Sequence, residues 1–151
     1  MGNNKRLLAL DVGDRNIGVA LSDALGITAR GLTTIIRSSD KKDTGTIMDI
    51  LKENDCSAVV IGLPIKLDGS DSPQTEKVRG FSSKLGNKLK SNGLSSIEII
   101  FHDERFTTKI AEQVLIEADL SREKRKTIID RQAAIVILQS YLDSASRNKI
   151  T

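Results

Sequence analysis

Apolar positions in this chain change period along its length, from short alternating or continuous runs near the start to recurrences every three or four residues further on. Residues 6–12, 16–22 and 31–36 predict three strands, the first two joined by a tight turn at Gly13-Asp14-Arg15. That is an antiparallel meander. Ile47, Ile50 and Leu51 then predict a helix over 43–54, and Ala58-Val59-Val60-Ile61 predicts a buried strand over 57–62. After a loop ending at Ser72-Pro73, where Ser can cap and Pro suits the first helical position, Val78, Phe81, Leu85 and Leu89 mark a second helix that stops at Ser91-Asn92-Gly93. Residues 97–101 predict a fifth strand. Ile110, Ala111, Val114, Leu115 and Ala118 predict a helix opening near Thr107 or Thr108, and a last helix runs from about 122 to 143.

Three meandering strands followed by alternating helices and strands describe an α/β protein with a mixed five-stranded sheet and helices on both faces, in the order β-β-β-α-β-α-β-α-α. No repeat, low-complexity tract or linker interrupts the pattern, so one domain over 1–151 with a core of about 6–143 is expected.

Composition narrows this picture little. The single Cys56 cannot form an internal disulfide and lacks zinc-ligand neighbours, which fits a reduced compartment. No apolar stretch has the length of a signal peptide or membrane span, and Arg6 stands where myristoylation wants Ser or Thr, so a cytoplasmic protein is expected. Net charge is +3 and the isoelectric point about 9.1, compatible with a nucleic-acid partner but shared with many enzymes. Aromatic residues are too few for base-stacking platforms.

Three acids break the hydrophobic pattern. Asp11 interrupts the apolar first strand, where an ionised carboxylate costs several kcal/mol or more unless a positive partner meets it. Asp103-Glu104 follows the fifth strand, at the carboxyl end where open α/β sheets place ligands, and one of the two is expected to point inward. Asp130 shares a helical face with Ala133, Ala134, Ile137 and Tyr141. Each has a plain alternative: a turn-capping Asp, surface pairing with Arg105 and Lys109, or an acid favoured by the helix dipole. Together, three carboxylates on three elements point to one cation site.

Around them, Gly13 and Gly18 allow close backbone approach, though a hairpin glycine is equally explained by positive φ. The 62–70 segment, with Gly62, Pro64, Gly69 and Ser70, lies on the same rim and could line a substrate channel, or Asp68-Gly69 could simply be a turn. Arg122, Lys124, Arg125 and Lys126 crowd the start of the last helix, where cations oppose the dipole unless phosphate compensates. His102, the only histidine, reads as a partly exposed strand-end residue rather than a member of a triad, since no nucleophile elbow accompanies it.

The blocks Leu10-Asp11-Val12-Gly13 with Ile17-Gly18-Val19-Ala20, Ile61-Gly62-Leu63-Pro64 with Asp68-Gly69-Ser70, Asp103-Glu104-Arg105-Phe106-Thr107-Thr108, and Ile129-Asp130 with Ala133-Ala134 and Ile137-Leu138-Gln139 closely resemble, in order, the bacterial YqgF family. Those proteins are Holliday-junction-resolvase-like members of the ribonuclease H superfamily, also described as pre-16S rRNA nucleases. The resemblance covers about 6–143. It implies an RNase H-like fold, a catalytic and metal-binding triad of Asp11, Glu104 and Asp130, and Mg²⁺ or Mn²⁺ as cofactor. The choice of Glu104 over Asp103 rests mainly on it. Substrate contacts are expected from Arg15, Gly62, Pro64, Gly69, Ser70, Arg105, Thr107, Lys109 and Arg125. One departure shows: the family usually carries Lys-Arg before Ile-Gly, where this chain has Arg15-Asn16.

Residue chemistry and resemblance meet in metal-assisted phosphodiester hydrolysis, because hard divalent ions take oxygen ligands and need neither His nor Cys. Expected partners are pre-rRNA or structured and branched DNA, with ribosomal assembly factors beside them, and either a monomer or a homodimer. Two other readings compete. The opening Asp-x-Gly hairpin also resembles the phosphate loop of sugar kinases and actin-like ATPases, which need two such domains to clasp a nucleotide. A non-catalytic RNA-binding assembly module would use the basic residues and leave the acids idle.

Overall fold

The computed structural model describes residues 6–105 and 132–145. Five strands, β1 (Arg6–Val12), β2 (Asn16–Ser22), β3 (Ala29–Ile36), β4 (Cys56–Leu63) and β5 (Glu98–Asp103), form one sheet in the order β3-β2-β1-β4-β5. The pairs β1–β2 and β2–β3 are antiparallel, whereas β1–β4 and β4–β5 are parallel. The expected meander and parallel half both form, with β1 at the centre.

Helix α1 (Asp40–Glu53) starts three residues earlier than the apolar spacing predicts. Its first turn is polar, and the start is set by Ser39, whose side chain accepts a hydrogen bond from the Lys42 amide. The third strand likewise begins at Ala29 rather than 31, because the Ala29 amide is held by Gln139 Oε1 at 3.0 Å, a contact no local pattern announces. β4 gains one residue at each end, and β5 runs to Asp103 rather than 101, paired with Leu63. Helix α2 (Pro73–Ser91) follows its sequence signals: Ser72 forms a capping box with Thr75, Pro73 takes the first position, and Asn92 and Gly93 (φ 74°) end it.

Alternation along the strands sorts the core onto two faces. Leu8, Leu10, Ile17, Val19, Val59 and Ile61 face α1 and α2, where Ile47, Leu51, Phe81, Leu85 and Leu89 meet them. On the opposite face Ala9, Ala20 and Val60 pack against Ala134, Ile137, Leu138 and Leu142 of the helical stretch 132–145. The residues that line this second face are small, so the helix lies close to the sheet. Side chains anchor it across the sheet: Gln139 bonds Ala29 and Ile27 beside β3, and Ser140 Oγ meets His102 Nε2 of β5 at 3.0 Å. The helix expected from 107 and the early turns of the last helix lie outside the described residues.

Among the described residues no helix is long and apolar enough to cross a membrane. Cys56 is free and buried, and burial raises its thiol pKa to about 11, which leaves it an inert core residue.

Candidate active site

Strand parity decides where the first acid goes. Since Leu8, Leu10 and Val12 face α1 and α2, Asp11 faces the opposite side with Ala9, half-buried and directly across from Gly18 of β2. On β4 the same parity puts Gly62 on that face beside Val60. Parity also carries Ile100 and His102 of β5 there. The chain then leaves β5 with the Glu104 amide donating to the Leu63 carbonyl at 3.3 Å. Glu104 turns inward and is 9% exposed.

The two neighbouring acids therefore differ completely. Asp103 is exposed and held by Arg105, whose Nε donates to its Oδ2 at 2.7 Å, and this side-chain hydrogen bond keeps its carboxyl below the ordinary range. Burial pushes Glu104 up to about 8, and the negative charges of Asp11 and, less strongly, Asp103 add to the rise. A carboxyl that stays protonated at neutral pH, next to a second acid, is a mark of a functional site.

Gly62 makes room for it. A Cβ on Gly62 would stand 2.7 Å from Glu104 Oε2 and 2.5 Å from Ile137 Cδ1, closer than side chains approach, so a methyl group here would displace either the carboxylate or the helix packing. Gly62→Ala should lower stability by about 1–3 kcal/mol through overpacking. An unchanged melting temperature would mean that the pocket has slack that these distances deny.

A cleft of about 510 Å³ opens over the acids, lined by Asp11, Val12, Gly13, Pro64, Ile65, Lys66, Leu67, Ser72, Gln74, Glu104 and Arg105. Of the expected contact residues, Pro64 and Arg105 line it and Gly62 backs it. Gly69 and Ser70 do not. They form the turn that the plain reading foresaw, with Gly69 at φ 90° and Ser70 Oγ bound to Asp68 Oδ1 at 2.6 Å. Arg15 is exposed in the β1–β2 turn and is absent from the cleft lining. Gly13 does not take a positive φ, and its need is close approach instead: a Cβ would lie 2.8 Å from the Asn16 carbonyl oxygen. Asp130, Thr107, Lys109, Arg122, Lys124, Arg125 and Lys126 lie outside the described residues.

Two contributors went unread in the sequence. Lys66 adds a cation to the wall, and Gln74 in the first turn of α2 reaches the Val12 carbonyl with Nε2 at 3.3 Å, tying α2 to the end of β1. Gln74 follows the cap by two residues, and only that position near the rim hinted at a role. His102 is half-buried, bound to Ser140 and edge-on to Tyr141, with its pKa lowered by burial. It props the helix rather than facing the cleft.

Among the described residues no group of three or more His, Cys, Asp or Glu side chains is arranged to hold a metal ion. The donor set formed by Asp11 and Glu104 is nevertheless all oxygen, and the Gly62 cradle leaves the Glu104 carboxylate space that a side chain would fill. Those features fit a hard divalent cation, whose charge would offset the burial and, next to it, the repulsion from Asp11 that raise Glu104.

Comparison with known proteins bears on the family and the fold. The family model RuvX, described as Holliday junction resolvase, matches residues 5–144. A relative from Thermoanaerobacter pseudethanolicus is 50% identical over 145 residues, covering 95% of this chain and 99% of its own. One from Clostridium tetani is 52% identical over 139 residues, covering 92% and 96%. Both carry the name "Putative pre-16S rRNA nuclease". Among solved structures, the yeast mitochondrial Holliday junction resolvase Ydc2 superposes with a TM-score of 0.62 at 11% identity, over 97% of this chain and 81% of that one. RuvC of T. thermophilus in complex with a Holliday junction substrate gives 0.54 at 16%, over 94% and 96%. At such identities the likeness establishes the fold, which is RNase H-like. With a family match over nearly the whole length and relatives about half identical to it, the chain belongs to the RuvX (YqgF) family.

Proposed function

We propose that this chain is a divalent-metal-dependent nuclease, one RNase H-like domain over about 6–143 that hydrolyses phosphodiester bonds, with the 5′ end of pre-16S rRNA as substrate and the cytoplasm as its place of action. The observation that carries the reading is the buried Glu104, held protonated up to about pH 8 beside Asp11 in a cleft open to solvent. An isolated structural acid gains nothing from such a position, whereas a ligand for Mg²⁺ or Mn²⁺ gains affinity from an unsolvated, convergent carboxylate.

Asp11 and Glu104 would hold the ion, with Asp130 as the third acid. When bound, a divalent cation supplies Lewis-acid neutralisation of the charge that builds on the phosphate oxygens. The chain supplies the rest. Arg105, clamped by Asp103 and by the Leu67 carbonyl at 3.4 Å, stands at the rim as a fixed cation for a flanking phosphate, and Lys66 offers a second. Pro64 and Ile65 present an apolar wall that keeps bulk water from that side. With a cation held there, the Glu104 carboxyl would be ionised, so binding and ionisation would be linked.

The family description and the names of the relatives point to two substrates, pre-rRNA and four-way DNA junctions. One experiment separates them: purified protein is incubated with a pre-16S leader transcript and with a four-way junction, each with Mg²⁺, Mn²⁺ or EDTA. Cleavage of the transcript, dependent on metal and faster than cleavage of the junction, is the expected result. Preferential cutting of the junction would make resolution the activity, and cutting undiminished in EDTA would remove the metal from the reading. Assembly factors are proposed as further partners on the pre-rRNA.

A further inference from the structure

The cleft over Asp11 and Glu104 does not end at its own rim. It shares Val12, Gly13 and Gln74 with a second cavity of about 410 Å³ on the α1–α2 side of the sheet. That cavity in turn shares Asp40 and Lys84 with a third, about 530 Å³, which reaches Ser91 and Asn92 at the far end of α2. Three adjoining hollows thus form a trough that leaves the acids, passes the Gly13 turn and follows the seam between the two helices, crossed where Lys84 Nζ donates to Asp40 Oδ2 at 2.6 Å.

Its charge differs from that of the cleft. Among the described residues that line the two outer cavities, five cations (Arg37, Lys41, Lys77, Lys84 and Lys88) face two carboxylates, Asp14 and Asp40. Lys77, Lys84 and Lys88 are spaced i, i+7 and i+11, which sets them in one stripe along α2 over about 16 Å. Each is parked on a weak partner: Lys77 on Asp14 at 3.3 Å, Lys84 on Asp40 at 2.6 Å, Lys88 on the Lys41 carbonyl at 2.9 Å. Exposed pairs of this kind are worth about 0–1 kcal/mol, so a phosphate can replace them at little loss. Arg37 is different. It is fixed by Asp43, Asp40 and the Gly13 carbonyl, and it braces the turn through which the trough passes.

We infer that this trough is the track for the flanking strand of the substrate: one phosphodiester backbone, leaving the cleavage site, runs past Gly13 and along the lysine stripe of α2. Lys77, Lys84 and Lys88 stand in single file along α2, which matches the one row of phosphates of a single backbone rather than the two rows of a duplex. The track rests on the nuclease reading for its direction, but its binding can be measured without cleavage. Because it holds phosphates, it is expected to accept RNA and DNA strands alike and to tolerate any sequence.

The test compares the full chain with K77Q/K84Q/K88Q. Lys77 and Lys84 are exposed, and a circular dichroism spectrum matching that of the parent is the check that the variant folds. Affinity is measured by fluorescence anisotropy in EDTA for single-stranded RNA and DNA ladders from about 4 to about 16 nucleotides, the range of ordinary single-strand sites. The parent protein should gain about tenfold or more in affinity from the shortest to the longest strand. The variant should lose that gain, with its log K against log salt slope smaller by about 2, at about 0.7 for each lost phosphate contact. Absence of any length dependence in the parent, its survival in the variant, or no binding at any length overturns the track. Cleavage of the pre-16S leader transcript and of the four-way junction with Mg²⁺, followed in parallel, reports on the nuclease reading separately: length-dependent strand binding with neither substrate cut would sink the activity and leave the track standing.

Discussion

Replacing Glu104 by Gln should abolish phosphodiester cleavage, by about a thousandfold or more, and at the same time stabilise the metal-free protein at pH 8. A thousandfold corresponds to about 4 kcal/mol of lost transition-state stabilisation, a reasonable share for one metal-holding carboxylate. The stability effect follows from linkage. In the folded chain the Glu104 carboxyl keeps its proton up to about pH 8, whereas the reference value is 4.5. Between those two values the unfolded chain binds fewer protons than the folded one, so stability falls as pH rises through the window and levels off above it. At about 1.36 kcal/mol per unit the full penalty is on the order of a few kcal/mol. Gln at 104 has the shape of the protonated acid and does not titrate, so melting temperatures of the variant should lack this decline. Parallel pH profiles of melting temperature for the two proteins, without metal, would show that burial and Asp11 do not hold the proton on.

Asp11→Asn should also eliminate cleavage while the fold is kept, and it should blunt the response to metal. Added Mg²⁺ stabilises whatever binds it, by about 2.7 kcal/mol at a hundred times the dissociation constant. For a domain of this size that is a rise of roughly 5–10 °C in melting temperature. The parent should show such a rise and Asp11→Asn a much smaller one, because a neutral amide is a poor ligand for a hard cation. Equal shifts would place the ion elsewhere. The same variant removes one of the two charges that raise Glu104, so its pH window should narrow from the alkaline side.

Much of the architecture was open to reading before any coordinates. The caps Ser72 and Asn92, the meander, the buried strand β4 and the apolar face of the last helix all follow from rules that act within a few residues. The errors are instructive for the same reason. Helix α1 was expected too late because its first turn buries Asp43 and Thr44 rather than apolar residues, and β3 too late because its first amide is satisfied by Gln139, 110 positions away. Gly69 takes the turn role that Asp68-Gly69 suggested, with a positive φ, whereas Gly13 is needed for closeness to the Asn16 carbonyl.

By itself, the sequence determined the order of the strands and helices from β1 to β5 and a short set of acids worth suspecting. These depend on side-chain periods and on caps, which are local properties. Only the tertiary structure set the face of Asp11, buried Glu104 while leaving Asp103 at the surface, made room for Glu104 at Gly62, raised its pKa, and set a basic trough along α2 beside the cleft. Those outcomes depend on desolvation, charge and volume acting through space, between segments that the chain order keeps far apart.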